Sequence, residues 1–151
     1  MRTQMNPFKG DACEQSTRVD LNALSEMAAL FAQALRPGMV IYLDGPLGAG
    51  KTTFVQALLA SCGVQGNIKS PTYTLVESYT LPEWHFFHFD LYRLKEPSEL
   101  EYIGLRDYLD GHAICLFEWP DKGLGYLPKS DWLIQIAYDK EVRLLTIKRT
   151  S

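Results

Sequence analysis

Apolar positions along this chain change their spacing several times, and each change marks an element. From Asp20 to Leu35 the residues Leu21, Leu24, Met27, Phe31 and Leu35 recur every three or four positions. That spacing predicts a helix with one buried stripe, Asp20 as its N-cap and "RPG" at 36–38 as its stop. "MVIYLDG" at 39–45 is a continuous apolar run ending in Asp-Gly, the pattern of a strand covered on both faces within a parallel sheet. After Lys51, Phe54, Val55, Leu58 and Leu59 return to helical spacing and stop at Gly63, a suitable C-terminal glycine.

The middle of the chain is aromatic and β-branched. "YTLVESYTL" at 73–81 and "WHFFHFDLYRL" at 84–94 predict two strands turning at Pro82 and Glu83. If 84–93 is extended, Phe87, Phe89 and Leu91 share one face and His88, Asp90 and Tyr92 the other. "PSELEYIGLRDYL" at 97–109 predicts one or two short helices, and "AICLFEWP" at 113–120 a second buried strand with Glu118 at its C-terminal end. "DWLIQIAY" and "VRLLTIKR", separated by "DKE", predict a hairpin.

Length and composition narrow the setting. The 151 residues fit one domain, read as spanning 1–151 with the first fifteen or so residues loose. A formal charge of -3 argues against holding RNA on a broad basic face, which needs many Lys and Arg to neutralise phosphates. Cys13, Cys62 and Cys115 are far apart and form no CxxC or CxxH pair. They read as reduced, buried or semi-buried thiols of a cytoplasmic protein. No run approaches the roughly eighteen apolar residues of a membrane span, so no membrane partner is expected.

The chemistry begins at "GPLGAGKTT". Gly45, Gly50, Lys51 and Thr52 satisfy G-x-x-x-x-G-K-[ST] where a buried strand turns into a helix. Backbone N–H groups of Gly45, Leu47, Gly48, Ala49, Gly50, Lys51, Thr52 and Thr53 are in position to wrap a phosphate, and the helix N-terminus adds its positive end. In such a motif the Lys51 ammonium reaches the outer phosphates and the Thr52 hydroxyl ligates Mg²⁺. The composite predicts a P-loop NTPase-like mixed α/β sheet flanked by helices, with a C-terminal antiparallel hairpin. A magnesium nucleotide site also needs a carboxylate at the end of a neighbouring buried strand. Glu118 is best placed, and Asp90, among aromatics, is second. Asp90 fits a structural ion pair with Arg93 as well as a role in catalysis.

"SPTYTL" at 70–75 lies just after the P-loop helix, where nucleotide switches keep loops that order around the outer phosphate. Thr72 or Thr74 is the candidate phosphate sensor or water-positioning group, while a capped turn leading into a strand fits the composition equally. Trp119 stands at the rim, to stack on a base or partner or to serve as partly buried core. His85, His88 and His112 have no metal-site spacing with the cysteines, and no GxSxG nucleophile is present.

Four segments, "GPLGAGKTT", "SPTYTLVESY", "HFDLYRL" with "PSELEYIGLRDY", and "AICLFEWP", resemble the TsaE (YjeE) family of small bacterial ATPases in their order and spacing. The resemblance covers about residues 20–139. It implies a role in making threonylcarbamoyladenosine in tRNA, beside the anticodon, with partner proteins TsaB and TsaD, where TsaD carries the transfer chemistry and the partners hold most of the tRNA. It further implies an ATP/ADP site with Mg²⁺ held by Thr52 and Glu118. Lys51, Asp90 and Thr72 are the catalytic candidates, and Ser70, Thr74 and Trp119 are functional or partner-facing positions. Many family members carry a threonine near the start of the first helix, where this chain has Leu24 and Ser25. Two other classes share the P-loop: a small-molecule kinase, disfavoured by a hairpin where an arginine-rich lid is common, and a nucleotide sensor without meaningful turnover. Arg93 and Arg106 are the obvious internal arginines near the motifs.

Overall fold

The computed structural model describes Phe8 and residues 14–151. Seven strands form one mixed sheet: β1 (Glu14–Val19), β2 (Val40–Asp44), β3 (Val76–Thr80), β4 (His85–Asp90), β5 (Ile114–Glu118), β6 (Trp132–Asp139) and β7 (Val142–Arg149), in the order β1-β7-β6-β2-β5-β4-β3. The centre is parallel, with β2 flanked by β5 and β6 and β4 beside β5. The rims are antiparallel, β3 on β4, and β1 and β6 on β7. Every residue of β5 is buried, as a central parallel strand covered on both faces requires.

Helices α1 (Leu21–Phe31) and α2 (Lys51–Ser61) cover one face of the sheet. Asp20 caps α1, its Oδ1 accepting from the Ala23 N–H at 2.7 Å. The apolar stripe puts Leu24, Ala28 and Phe31 inside, against Phe54, Leu58 and Ile134. A 3₁₀ turn over Ala32–Ala34 then replaces the last turn predicted for α1. Phe8 packs edge-on against Phe31 and Trp132, with centroids 5.5 and 6.3 Å away. On the other face α3 (Glu99–Tyr102) and α4 (Leu105–Tyr108) bring Leu100 and Leu105 against Phe89, Leu91 and Phe117.

Three boundaries differ from the sequence reading. Residues 73–75 are a turn, because the Leu75 N–H bonds back to the Pro71 carbonyl at 2.9 Å, with Leu75 at φ 70°. The strand through "HFD" stops at Asp90, whose Oδ1 accepts from the Tyr92 N–H at 3.0 Å and so turns the chain. Glu14 and Gln15, expected in a loose leader, open β1 instead; the rest of that leader, Phe8 apart, lies outside the described residues. The β1 strand is mostly exposed and polar, so no apolar alternation announces it. What recruits it is the open hydrogen-bonding edge of β7.

Cys115 is 1% exposed in β5. Burial, with a smaller contribution from Asp110, pushes its thiol up to about 12, and Sγ donates to the Tyr108 carbonyl at 3.5 Å. Thiolates, not thiols, react with alkylating reagents. In the native protein at pH 8, Cys115 is therefore expected to escape a reagent that labels it fully in denaturant. Peptide mass mapping of the two samples checks this, and equal labelling would contradict the burial.

Candidate functional site

The parallel register brings three strand ends to one edge. Leu43 pairs with Glu118, and Glu118 with Asp90, so Asp44, Glu118 and Asp90 finish side by side where α2 begins. Between β2 and α2 the loop 45–50 must turn without side-chain bulk. A Cβ on Gly45 would lie 2.2 Å from the Ile136 carbonyl oxygen, and one on Gly50, at φ 120°, 2.7 Å from Leu24 Cδ2. Glycine is therefore required at both positions.

Lys51 is the first residue of α2 and only 5% exposed. Its Nζ donates to the Gly45 carbonyl and lies 3.6 Å from the centre of the Trp119 ring. Burial pulls its pKa down, and the carboxylates of Glu118, Asp90, Asp44 and Asp121 oppose that shift. Trp119 adopts the left-handed conformation, φ 57°, which is uncommon for a bulky residue and marks a held position. Its ring also meets Tyr92, with centroids 5.0 Å apart.

Glu118 is 2% exposed. Its Oε2 is 2.6 Å from His88 Nε2, and both its oxygens lie 3.5 Å from Thr52 Oγ1, beyond a strong hydrogen bond. His88 Nδ1 is buried with no hydrogen-bond partner among the described residues. Asp90, 8% exposed, accepts from the Thr72 hydroxyl at 3.4 Å, and Thr72 Oγ1 is 2.7 Å from Ser70 Oγ. Burial raises the Asp90 carboxyl above its ordinary range; the Tyr92 N–H works against that and Glu118 with it.

These groups line a cleft of about 380 Å³ with Gly50, Lys51, Thr52, Thr72, Asp90 and Glu118 on its walls. A second cleft, of about 500 Å³, lies over α3 and α4 beside Leu100, Arg106 and Tyr126, and no P-loop residue reaches it. A nucleotide with magnesium fits the first: a glycine loop at a helix N-terminus for phosphates, and a hydroxyl and a carboxylate facing each other as hard oxygen ligands. Mg²⁺ commonly takes one or two such protein ligands and fills its remaining positions with phosphate and water.

The family described as "Threonylcarbamoyl adenosine biosynthesis protein TsaE" matches residues 19–147. The chain belongs to the TsaE family. Over 105 residues it is 52% identical to the tRNA threonylcarbamoyladenosine biosynthesis protein TsaE of Haemophilus influenzae, a match covering 70% of this chain and 66% of that protein. The Rickettsia typhi protein of the same name is 39% identical over 125 residues, covering 81% of this chain and 85% of that protein. The crystal structure of Bacillus subtilis YdiB superposes with a TM-score of 0.76 at 28% identity, covering 91% of this chain and 86% of that one.

Within this TsaE fold the sequence-predicted residues separate. The P-loop, Thr72, Asp90, Glu118 and Trp119 converge, as does Arg93, whose guanidinium lies 4.5 Å over the Tyr73 ring. Arg93 therefore does not form the ion pair with Asp90 that the sequence allowed. Thr74 faces away, donating to Glu77 Oε1 at 2.9 Å, and Ser70 touches the cleft only through Thr72. Arg106 lines the other cleft. Ser25 stands beside Thr53 in a shallow recess, while Leu24 is buried. Sequence reasoning gave His88 no role, although its alternation with Asp90 placed the two on one face. It missed Arg143, whose Nε donates to the Ala49 carbonyl at 2.6 Å across 94 residues, a contact no local pattern encodes.

Two expectations follow for this cluster. A carboxyl raised on folding contributes stability below its unfolded value, near about 4, and loses it as pH rises through the folded value. Asp90→Asn should therefore melt at a higher temperature than the parent at pH 7, the gap closing as pH falls towards about 4. Circular dichroism melts across pH test this, and coincident midpoints at pH 7 would refute it. Removing the donor to a buried carboxylate by His88→Leu should cost about 2–4 kcal/mol, with His88→Gln recovering part of the loss in urea unfolding. Equal stability of all three proteins would deny the His88–Glu118 bond its weight.

Proposed function

We propose that this chain is a magnesium-dependent ATPase subunit of the bacterial machinery that installs threonylcarbamoyladenosine next to the tRNA anticodon, acting in the cytoplasm with TsaB and TsaD. Family membership and the relatives' names support the pathway. The observation carrying the ATPase reading is the convergence of Lys51, Thr52 and Glu118 on one cleft at the N-terminus of α2. The net charge of -3 supports leaving most of the tRNA to the partners. Among the described residues no helix is long and apolar enough to cross a membrane.

In this mechanism the loop N–H groups hold the β-phosphate of ATP. Lys51 Nζ turns from the Gly45 carbonyl to the outer phosphates, offsetting charge that grows on the transferring phosphoryl group. Thr52 and Glu118 would hold Mg²⁺, which when bound neutralises phosphate charge. Asp90 orients the attacking water, helped by the Thr72 hydroxyl beside it. Trp119 keeps Lys51 over the cleft until nucleotide arrives.

Phosphate release should be slow for the chain alone and faster with TsaB and TsaD; equal rates would remove the partner gating. Lys51→Ala should lower turnover on the order of 10²-fold or more, and Glu118→Ala should weaken magnesium dependence. Full magnesium-dependent turnover by Glu118→Ala would make the ligand assignment wrong. A phosphorylated metabolite in place of free phosphate would establish a kinase, and binding without turnover in the presence of the partners a sensor.

A further inference from the structure

The hairpin of β6 and β7 reaches back to the P-loop from the side opposite the carboxylates. Arg143 pairs with Tyr138 in β6 and with Val19 in β1. Besides the bond to Ala49, its Nη2 donates to the Gly48 carbonyl at 3.4 Å. The Tyr138 hydroxyl donates to the Leu47 carbonyl at 3.4 Å, and the guanidinium lies 5.5 Å over the Tyr138 ring. Three consecutive loop carbonyls, of residues 47, 48 and 49, are thus held by two side chains of the hairpin. Beside them, Ile136 of β6 leaves no room for a Cβ at Gly45.

In a trans peptide the N–H points opposite to the C=O of the same unit. With the carbonyls of 47–49 turned to the hairpin, the N–H groups of 48–50 turn the other way. That of Ala49 closes a turn onto the Pro46 carbonyl at 3.2 Å. Those of Gly48 and Gly50 belong to residues that line the cleft. Orienting such N–H groups before the ligand arrives removes an ordering cost from binding.

We infer that Arg143 is a positioning residue for the nucleotide phosphates: with Tyr138 it holds the P-loop carbonyls outward so that the N–H groups of Gly48 and Gly50 face the cleft. The inference rests on the nucleotide reading of that cleft. Arg143 acts on the loop, not on the ligand. Its planar fork spans two carbonyls, which a lysine ammonium cannot reproduce.

The test is binding of a fluorescent ADP analogue to the full chain, with the melting temperature read with and without ADP. Arg143→Met keeps the stem and loses the donors; it should weaken ADP binding about tenfold and shrink the ADP-induced rise in melting temperature. Arg143→Lys should fall between Met and the parent, and Tyr138→Phe should weaken binding about threefold. A merely structural role in the hairpin would lower the ligand-free melting temperature and leave ADP affinity alone. A folded Arg143→Met that binds ADP within about twofold of the parent overturns the inference while the ATPase reading stands. If Arg143→Met does not fold, unchanged affinity in both Arg143→Lys and Tyr138→Phe overturns it. A parent chain that binds no ADP removes both.

Discussion

The structure is organised around a cation where a helix disfavours one. Lys51 opens α2, at the positive end of its dipole, and is 5% exposed. Burying an ammonium there is costly unless negative charge surrounds it. The ends of β2, β4 and β5 provide Asp44, Asp90 and Glu118, the Gly45 carbonyl accepts a hydrogen bond, and the Trp119 ring closes over the top. The sheet register, the left-handed Trp119 and the glycine loop each serve that one contact.

The P-loop lies between two supports of different kinds. On one side the parallel core brings the acidic strand ends into line, with His88 fixing Glu118 from behind. On the other, the antiparallel hairpin presents Arg143 and Tyr138 to the loop carbonyls. Opposite charges therefore flank the loop, carboxylates towards its lysine and a guanidinium towards its carbonyls. The β1 strand continues the sheet beyond the hairpin, with Ser16 Oγ 3.0 Å from Thr146 Oγ1 and Arg18 Nε 2.8 Å from Asp139 Oδ2. The guanidinium that braces the loop thus stands on a strand paired on both sides.

Much of this was legible in the chain. Continuous apolar runs announced β2 and β5, and the P-loop motif was read at a strand-to-helix turn, where β2 does pass into α2. The strand-end rule singled out Glu118 and Asp90. Thr72 and Thr74 could not be told apart, because both are polar positions two residues apart in one loop; the turn at Leu75 sends one to the cleft and the other to Glu77. The polar β1 strand was invisible because pattern reading detects burial, and β1 is held by backbone pairing at an edge.

The sequence by itself determined whatever depends on neighbours in the chain: the glycine spacing of the loop, the helical and strand periods, the cap at Asp20, and the family those segments spell out together. Tertiary structure decided whatever depends on which distant backbone lies alongside. His88 meets Glu118 from 30 residues away, and Arg143 reaches Ala49 from 94. Local propensity acts over a few bonds, whereas these contacts exist only once β4 has paired with β5 and the hairpin has joined β2. Both are side-chain hydrogen bonds between elements distant in the chain, and no spacing along the chain encodes them.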